Sequence, residues 1–298
     1  MNATTNHRAG FVAIVGRPNV GKSTLLNHLL KQKLSITSSK PQTTRHKVTG
    51  IATTLDTQYV FMDTPGYQLQ HTGPLNRMLN RTVGHAVMDA NVIILVVEAG
   101  RFEEGDRAIL ELLPKRIPVF LVINKIDRIR DKKQLLPFIE DFSRRFNFTE
   151  VIPVSASKDV NLDKVLEVVR AYLPQGEALY DAEQISDQPQ KFFAAEIVRE
   201  KVFRLLHSEI PYSVNVVIDD FRSKDKTLHI QASIWVEKSS QKAILIGKDG
   251  AQLKVVGTRA RQEMEKFFEV PVYLQLWVKV KKGWAKDVRT LHGLGYHD

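Results

Sequence analysis

No cysteine occurs in the 298 residues, which excludes disulfides, thiolate zinc sites and cysteine nucleophiles. No window approaches the roughly 18 consecutive apolar residues that a membrane-spanning helix requires. The N-terminal stretch lacks the apolar core of a secretory signal, so the sequence predicts a cytosolic protein. Internal repeats and low-complexity tracts are also missing. Acid is in deficit, with 33 Asp and Glu against 43 Lys and Arg and a net charge of +10. One bound nucleotide needs only a few local donors, so the surplus points to a larger anionic partner, either nucleic acid or an acidic membrane surface. The rest is ordinary for a folded chain: 43% hydrophobic and 26% charged residues exclude general disorder, and the length suits two domains.

The first half alternates strand-like and helix-like segments. Residues 11–15 form an apolar run that enters a glycine-rich loop, with helical spacing over 23–30. Segments 48–55 and 58–62 alternate about Asp56-Thr57 as a β-hairpin. Runs 92–97, 117–123 and 151–154 are continuously apolar, as in strands covered on both faces, and 162–172 is helical. This rhythm predicts an α/β domain, doubly wound around a mostly parallel sheet, over residues 1–175. Residues 176–190 read as an acidic linker. A second, α+β domain is expected over 191–298: helix (193–207), strand (213–219), strand (227–237), helix (239–246), a glycine loop, helix (251–268), strand (272–280) and a basic C-terminal tail.

Three motifs in the first half belong together. Gly16-Arg17-Pro18-Asn19-Val20-Gly21-Lys22-Ser23 fits G-x-x-x-x-G-K-[ST] between a strand and a helix. The glycines let backbone amides turn toward phosphate oxygens, and the helix that continues through Thr24 adds its positive end. Lys22 reaches the β- and γ-phosphates, and the Ser23 hydroxyl ligates Mg²⁺. Asp63-Thr64-Pro65-Gly66 ends a hairpin strand, where Asp63 can hold a metal-bound water and the Gly66 amide can meet the γ-phosphate. Between them, the polar segment 38–48 contains Pro41-Gln42-Thr43-Thr44-Arg45-His46. Thr43 and Thr44 are both candidates to complete the metal shell when a γ-phosphate is present, which makes the segment a switch. Asn124-Lys125-Ile126-Asp127 follows the apolar run 117–123. Asp127 can accept from guanine N1–H and its 2-amino group, a donor pair that adenine lacks. The Lys125 stem can cover the base, Asn124 can brace neighbouring loops, and the Ala156 amide of Ser155-Ala156-Ser157 is placed for guanine O6.

In the second half, Gly247-Lys248-Asp249-Gly250 lies between two helices. There the glycines let phosphates approach the backbone, and the next helix presents its positive end. Lys242, Lys254, Arg259 and Arg261 flank this loop, and Lys279, Lys281, Lys282, Lys286 and Arg289 make the tail basic. Tyr273, Trp277 and Trp235 alternate away from the core positions, and we expect them to pack on another surface rather than stack on bases.

Together the motifs resemble those of TRAFAC-class GTPases, and the whole chain is similar to the Era family of bacterial ribosome-assembly GTPases. Gly16–Ser23, Gln42–His46, Asp63–Gly66, Asn124–Asp127 and Val154–Ala156 match its five G motifs. Arg199-Glu200-Lys201, Pro211-Tyr212-Ser213, the Ile246–Gly250 loop and Leu276-Trp277-Val278-Lys279-Val280 look like its type II KH domain. The resemblance implies GTP hydrolysis to GDP in 30S subunit assembly, binding near the 3′ end of 16S rRNA, peripheral contact with an acidic inner membrane, and a monomer. Ras-like GTPases orient the attacking water with a glutamine where this chain has Tyr67, so slow turnover is expected. Related families suggest that Asn19 helps to hold a K⁺ ion. Two other readings remain at this point. One is a membrane-associated signalling switch without specific RNA binding; the other is a protein that keeps its nucleotide as a structural ligand.

Overall fold

Successive residues of each early strand are buried on opposite sides: Val12 and Ile14 belong to one apolar cluster, Ala13 and Val15 to another. That two-sided burial is why these strands read as unbroken apolar runs. The computed structural model describes residues 7–38, 40, 42–69, 73–205 and 214–296. Ser39 and Pro41 of the expected switch, the helix positions 206–207 and the Pro211-Tyr212-Ser213 segment lie outside the described residues. The chain divides into two compact units after Asp187.

The first unit holds β1 (Arg8–Val15), α1 (Lys22–Leu29), β2 (Val48–Thr53), β3 (Thr57–Asp63), α2 (Pro74–Asp89), β4 (Val92–Glu98), α3 (Glu104–Leu112), β5 (Val119–Asn124), α4 (Leu135–Arg145), β6 (Glu150–Pro153) and α5 (Leu162–Tyr172). Its sheet order is β2-β3-β1-β4-β5-β6, with only β2 antiparallel. Leu25, Leu26 and Leu29 of α1 and Val165 and Val169 of α5 cover one face. Val83 and Val87 of α2, Ile109 of α3 and Phe142 of α4 cover the other. Register matters for function, because Ile14 lies opposite Asp63 and Glu98 opposite Asn124. The C-terminal ends of β1, β3, β4 and β5 therefore converge along one edge, where open α/β sheets bind ligands.

The expected linker needs correction over much of its length. The Ile51 amide donates to the Ile185 carbonyl (2.9 Å), and the Ser186 hydroxyl to the Thr49 carbonyl (2.5 Å). The buried Gln58 amide accepts from Leu179 and Tyr180 N–H (2.7 and 2.9 Å) and donates to the Tyr180 carbonyl (2.8 Å). Edge strand β2 would otherwise present unpaired backbone groups, and this segment satisfies part of that row.

The second unit comprises α6 (Gln190–Leu205), β7 (Asn215–Lys224), β8 (Thr227–Val236), α7 (Ser239–Ile246), α8 (Ala251–Phe268), β9 (Val272–Val280) and α9 (Val288–Gly293). Its sheet runs β7-β8-β9, antiparallel then parallel. The parallel pair requires a crossover, which α7 and α8 supply. Ala194, Val198, Leu245, Val256, Ala260 and Met264 pack on Ile230, Ala232 and Ile234 to form the core. The expected basic tail is also folded: Trp284, Leu291 and Tyr296 are buried, and the Asp287 carboxylate caps α9 through the Thr290 amide (3.1 Å). Its cations Lys281, Lys282, Lys286 and Arg289 stay exposed.

Candidate functional site

The loop after β1 curls tightly because Gly21 adopts φ +104°, and a Cβ there would lie 2.2 Å from the Asn124 amide nitrogen. Only glycine allows that approach. Asn124 uses it by donating to the Val20 carbonyl (2.9 Å) and accepting from the amides of Lys125 (2.8 Å) and Ala156 (3.0 Å). One side chain thus joins three loops, the bracing role expected of it. The Ala156 amide, expected to face a base oxygen, is instead held by Asn124. Ser155 donates to Asp127 Oδ1 (2.5 Å), so it orients the exposed carboxylate.

Lys22 is buried and donates to the carbonyls of Gly16 (3.0 Å) and Arg17 (3.1 Å). Burial lowers its pKa to about 8; the Asp63 charge raises it and the Arg17 charge lowers it further. Burial raises Asp63 in turn, against the charge of Lys22 and a hydrogen bond from Ser23. The Ser23 hydroxyl lies 2.8 Å from Thr44 Oγ1 and 2.7 Å from Asp63 Oδ2. Thr43 turns away and donates to the Lys40 carbonyl (2.6 Å). Of the two threonines that sequence leaves equal, Thr44 therefore lies with Ser23 and Asp63, while Thr43 bonds the Lys40 carbonyl. Asp63 Oδ1 is buried without a hydrogen-bond partner among the described residues. Three convergent hard oxygens and an orphaned carboxylate oxygen fit Mg²⁺ chemistry.

Lys22, Ser23, Thr43 and Thr44 line a cleft of about 380 Å³ that also includes Pro18, Asn19, Thr24, Gly66, Glu98, Arg101, Lys125 and Arg128. Asn19 is exposed with φ +65°. Thr64 is not turned to the cleft; its hydroxyl bonds the buried Ile14 carbonyl (2.8 Å) and pins β3 to β1. Gly66 packs so closely on Pro18 that a Cβ would sit 2.6 Å from the Pro18 nitrogen. Tyr67 donates its amide to the Gly16 carbonyl (3.3 Å) and packs its ring on the second apolar cluster, so it cannot stand in for a glutamine.

Several contacts have no signature in the sequence. Arg17 was expected at the nucleotide, but its guanidinium lies against α3, 2.8 Å from Asp106 and 3.1 Å from Glu103. The Lys125 stem is expected to cover the base, and its ammonium binds the Asn19 carbonyl (2.6 Å) and Glu98 (2.7 Å). Burial works to raise the Glu98 carboxyl, but the Lys125 hydrogen bond and the charges of Lys125, Arg101 and Arg128 bring it below the usual range. Gln42 donates to Gln68 (3.0 Å) and Asn76 (3.1 Å), tying the threonine segment to the chain after Gly66. Nothing local marks these residues; each partner lies on another element.

In the second unit, Gly247 has φ +74° and Gly250 φ +76°, with Asp249 also left-handed at +51°. A Cβ on Gly247 would lie 2.7 Å from Gln252, so the turn demands glycine there. Lys248, Lys254 and Arg259 are exposed and Lys242 is half-buried, and no ion pair holds them among the described residues. Arg261 instead pairs with Glu265 (2.6 Å) and Lys279 with Asp219 (3.4 Å). Lys281 lies 5.4 Å over the Trp235 ring. Tyr273 and Trp277 are exposed, so the expected packing against another surface is not found within this unit.

The family described as "50S ribosome-binding GTPase" matches residues 11–125, and the KH domain family matches 209–285. A GTPase Era of Nitrosomonas eutropha is 50% identical over 294 residues, 99% of each chain. That of Azotobacter vinelandii is 48% identical over 299 residues, spanning 100% of both. Among solved structures, a variant of Aquifex aeolicus Era bound to GDP·AlF4⁻ superposes with a TM-score of 0.94 at 40% identity, covering 98% of this chain and 100% of that one. The same values hold for an Era in complex with MgGDPNP and nucleotides 1506–1542 of 16S ribosomal RNA.

Proposed function

This chain belongs to the Era family of GTPases, and we propose that its GTP cycle governs binding of the KH unit to the single-stranded 3′ region of 16S rRNA during 30S subunit assembly. The observation that carries the reading is the pairing, in one chain, of the Ser23–Thr44–Asp63 oxygen cluster with the Gly247–Gly250 turn. The relative solved with MgGDPNP and 16S rRNA nucleotides supports it.

In this account the amides from Asn19 to Thr24 face the phosphates, and Lys22 exchanges its carbonyl contacts for the β- and γ-oxygens. Ser23 and Thr44 would hold Mg²⁺ directly, with Asp63 reaching it through water. Bound there, the metal supplies positive charge to the phosphate oxygens. Thr44 favours the ordered switch only while a γ-phosphate is present, and the Gln42–Gln68 bond passes that ordering to the segment after Gly66. Asp127 reads guanine, held in place by Ser155. Arg17 and Thr64 act as braces for this site rather than as ligands, and the Val20 carbonyl braces it through Asn124.

With Tyr67 packed away, no glutamine orients the attacking water, and a cation at the phosphates would lower the barrier by another route. Asn19, exposed at the cleft, is proposed to help hold K⁺ there. Turnover in KCl should exceed that in NaCl severalfold, and Asn19→Ala should remove the difference; equal rates in both salts would exclude the ion.

The RNA half is tested by Lys248→Asp. Exposed Lys248 lies where phosphates pass, so reversing its charge should weaken single-stranded RNA binding about tenfold or more and flatten its salt dependence. GTP turnover without RNA should not change. Unaltered RNA affinity would remove the loop from the binding surface. Peripheral attachment to an acidic inner membrane rests only on the exposed cations of the folded C-terminal region. Salt-sensitive sedimentation with anionic vesicles, absent with neutral ones, would support it. No helix among the described residues is long and apolar enough to cross a membrane.

A further inference from the structure

We propose that the solvent face of the β7-β8-β9 sheet is a stacking platform for unpaired RNA bases, distinct from the Gly247–Gly250 loop. The proposal rests on the reading of the second unit as RNA-binding and extends it to a second surface. Tyr273 and Trp277 are 51% and 42% exposed, although large aromatic rings are costly to leave in water. Both project from β9 on the side opposite Val272, Leu274, Leu276 and Val278, which pack in the core. Four residues of strand separate them by about 13 Å.

The register gives each ring a neighbour on β8. His229 lies opposite Tyr273, with ring centroids 5.3 Å apart. Trp277 lies opposite Ser233, which places Trp235 on its diagonal, within reach of a long aromatic side chain. Between the two aromatic stations, Gln231 and Gln275 share a hydrogen bond (3.2 Å) and present amides suited to base edges. A shallow depression of about 220 Å³, lined by Arg222, Lys224, His229 and Tyr273 among others, flanks the first station.

The composition of this face selects the occupant. Its outward positions on β8 and β9 are His229, Gln231, the buried Ser233, Trp235, Tyr273, Gln275, Trp277 and Lys279, and β7 adds Val217, Asp220 and Arg222 opposite Ser233, Gln231 and His229. A protein-binding core would carry several aliphatic groups, whereas aromatic rings interleaved with amides and cations suit nucleobases. Two of the cations are partly spent, since Arg222 pairs with Asp220 (2.7 Å) and Lys279 with Asp219 (3.4 Å). Stacking rather than phosphate neutralisation therefore carries this surface. Its contribution should depend weakly on salt, unlike that of the loop.

The test uses the full chain, a single strand of about four nucleotides, enough to fill the loop, and one about three times longer. Trp277→Ala and Tyr273→Ala should each weaken the longer strand about tenfold, with its salt slope unchanged, and leave the short strand unaffected. Trp277→Phe should restore most of the affinity. Lys248→Asp should weaken both strands and reduce the salt slope. Longer-strand affinity unchanged in the sheet variants would overturn the proposal, as would an equal loss for the short strand. Loss of a ribosomal-protein contact in place of RNA affinity would overturn it in favour of a protein-binding face. If Lys248→Asp alone has no effect, the failure belongs to the loop reading and not to the sheet.

Discussion

Asp127→Asn is expected to lower GTP affinity by about 10²–10⁴-fold while creating a protein that binds and hydrolyses xanthosine triphosphate. In the proposed pocket the carboxylate would accept two hydrogen bonds from guanine, and contacts of this charged kind contribute about 1.5–3 kcal/mol each. An amide cannot accept both. It can accept from xanthine N1–H and donate to the C2 carbonyl, so the preference inverts instead of merely weakening. The substitution should be structurally mild, because Asp127 is exposed and the Ser155 hydroxyl can still donate to Oδ1. Competition binding with both nucleotides measures the ratio. Retained preference for GTP would remove Asp127 from the base pocket.

Lys22→Met is expected to cost about 10²-fold or more in GTP affinity and to abolish turnover, because in the proposed site the lost ammonium would serve two phosphates at once. The wild-type protein carries a second signature. Burial lowers Lys22 to about 8, and a triphosphate placed beside the ammonium raises it again. Nucleotide binding should therefore take up a proton above pH 8, and affinity should fall as pH rises through that value. In the nucleotide-free protein the sign is opposite. Between about 8 and the ordinary lysine value of 10.5 the unfolded chain holds more protons, so the Lys22 contribution to stability improves as pH rises. Calorimetry in buffers of different ionisation enthalpy reads the uptake directly. The Lys22→Met protein should show none of it above pH 8, and an unchanged uptake would assign the proton elsewhere.

The nucleotide motifs were legible because each is a local run of residues whose spacing is fixed by the chemistry. The buried strands were legible for a related reason: burial on both faces leaves no polar positions. Helices α2, α3 and α4 were not placed individually, because only one face of each is apolar and polar loops surround them. The strap at 179–186 reads in the sequence as part of a linker. Its contacts to β2 and β3 run largely through backbone groups and the Gln58 amide, so they leave little apolar signature. The C-terminal region looked like a basic tail because Trp284, Leu291 and Tyr296 are single buried residues among exposed cations. Pairings across the fold were the hardest to foresee. Arg17–Asp106, Lys125–Glu98 and Gln42–Gln68 join residues on different elements, and nothing in either partner's neighbourhood announces the other. Those same contacts link the P-loop to α3, the base motif to β4, and the threonine segment to the chain after Gly66.

The most direct test of GTP-controlled RNA binding is crosslinking to a single-stranded RNA carrying the 3′ sequence of 16S rRNA, with a non-hydrolysable GTP analogue and with GDP. Crosslinks at Gly247–Gly250 should be strong with the analogue and severalfold weaker with GDP, and the difference should disappear in Thr44→Ala. Equal crosslinking in both nucleotide states would contradict GTP-controlled binding.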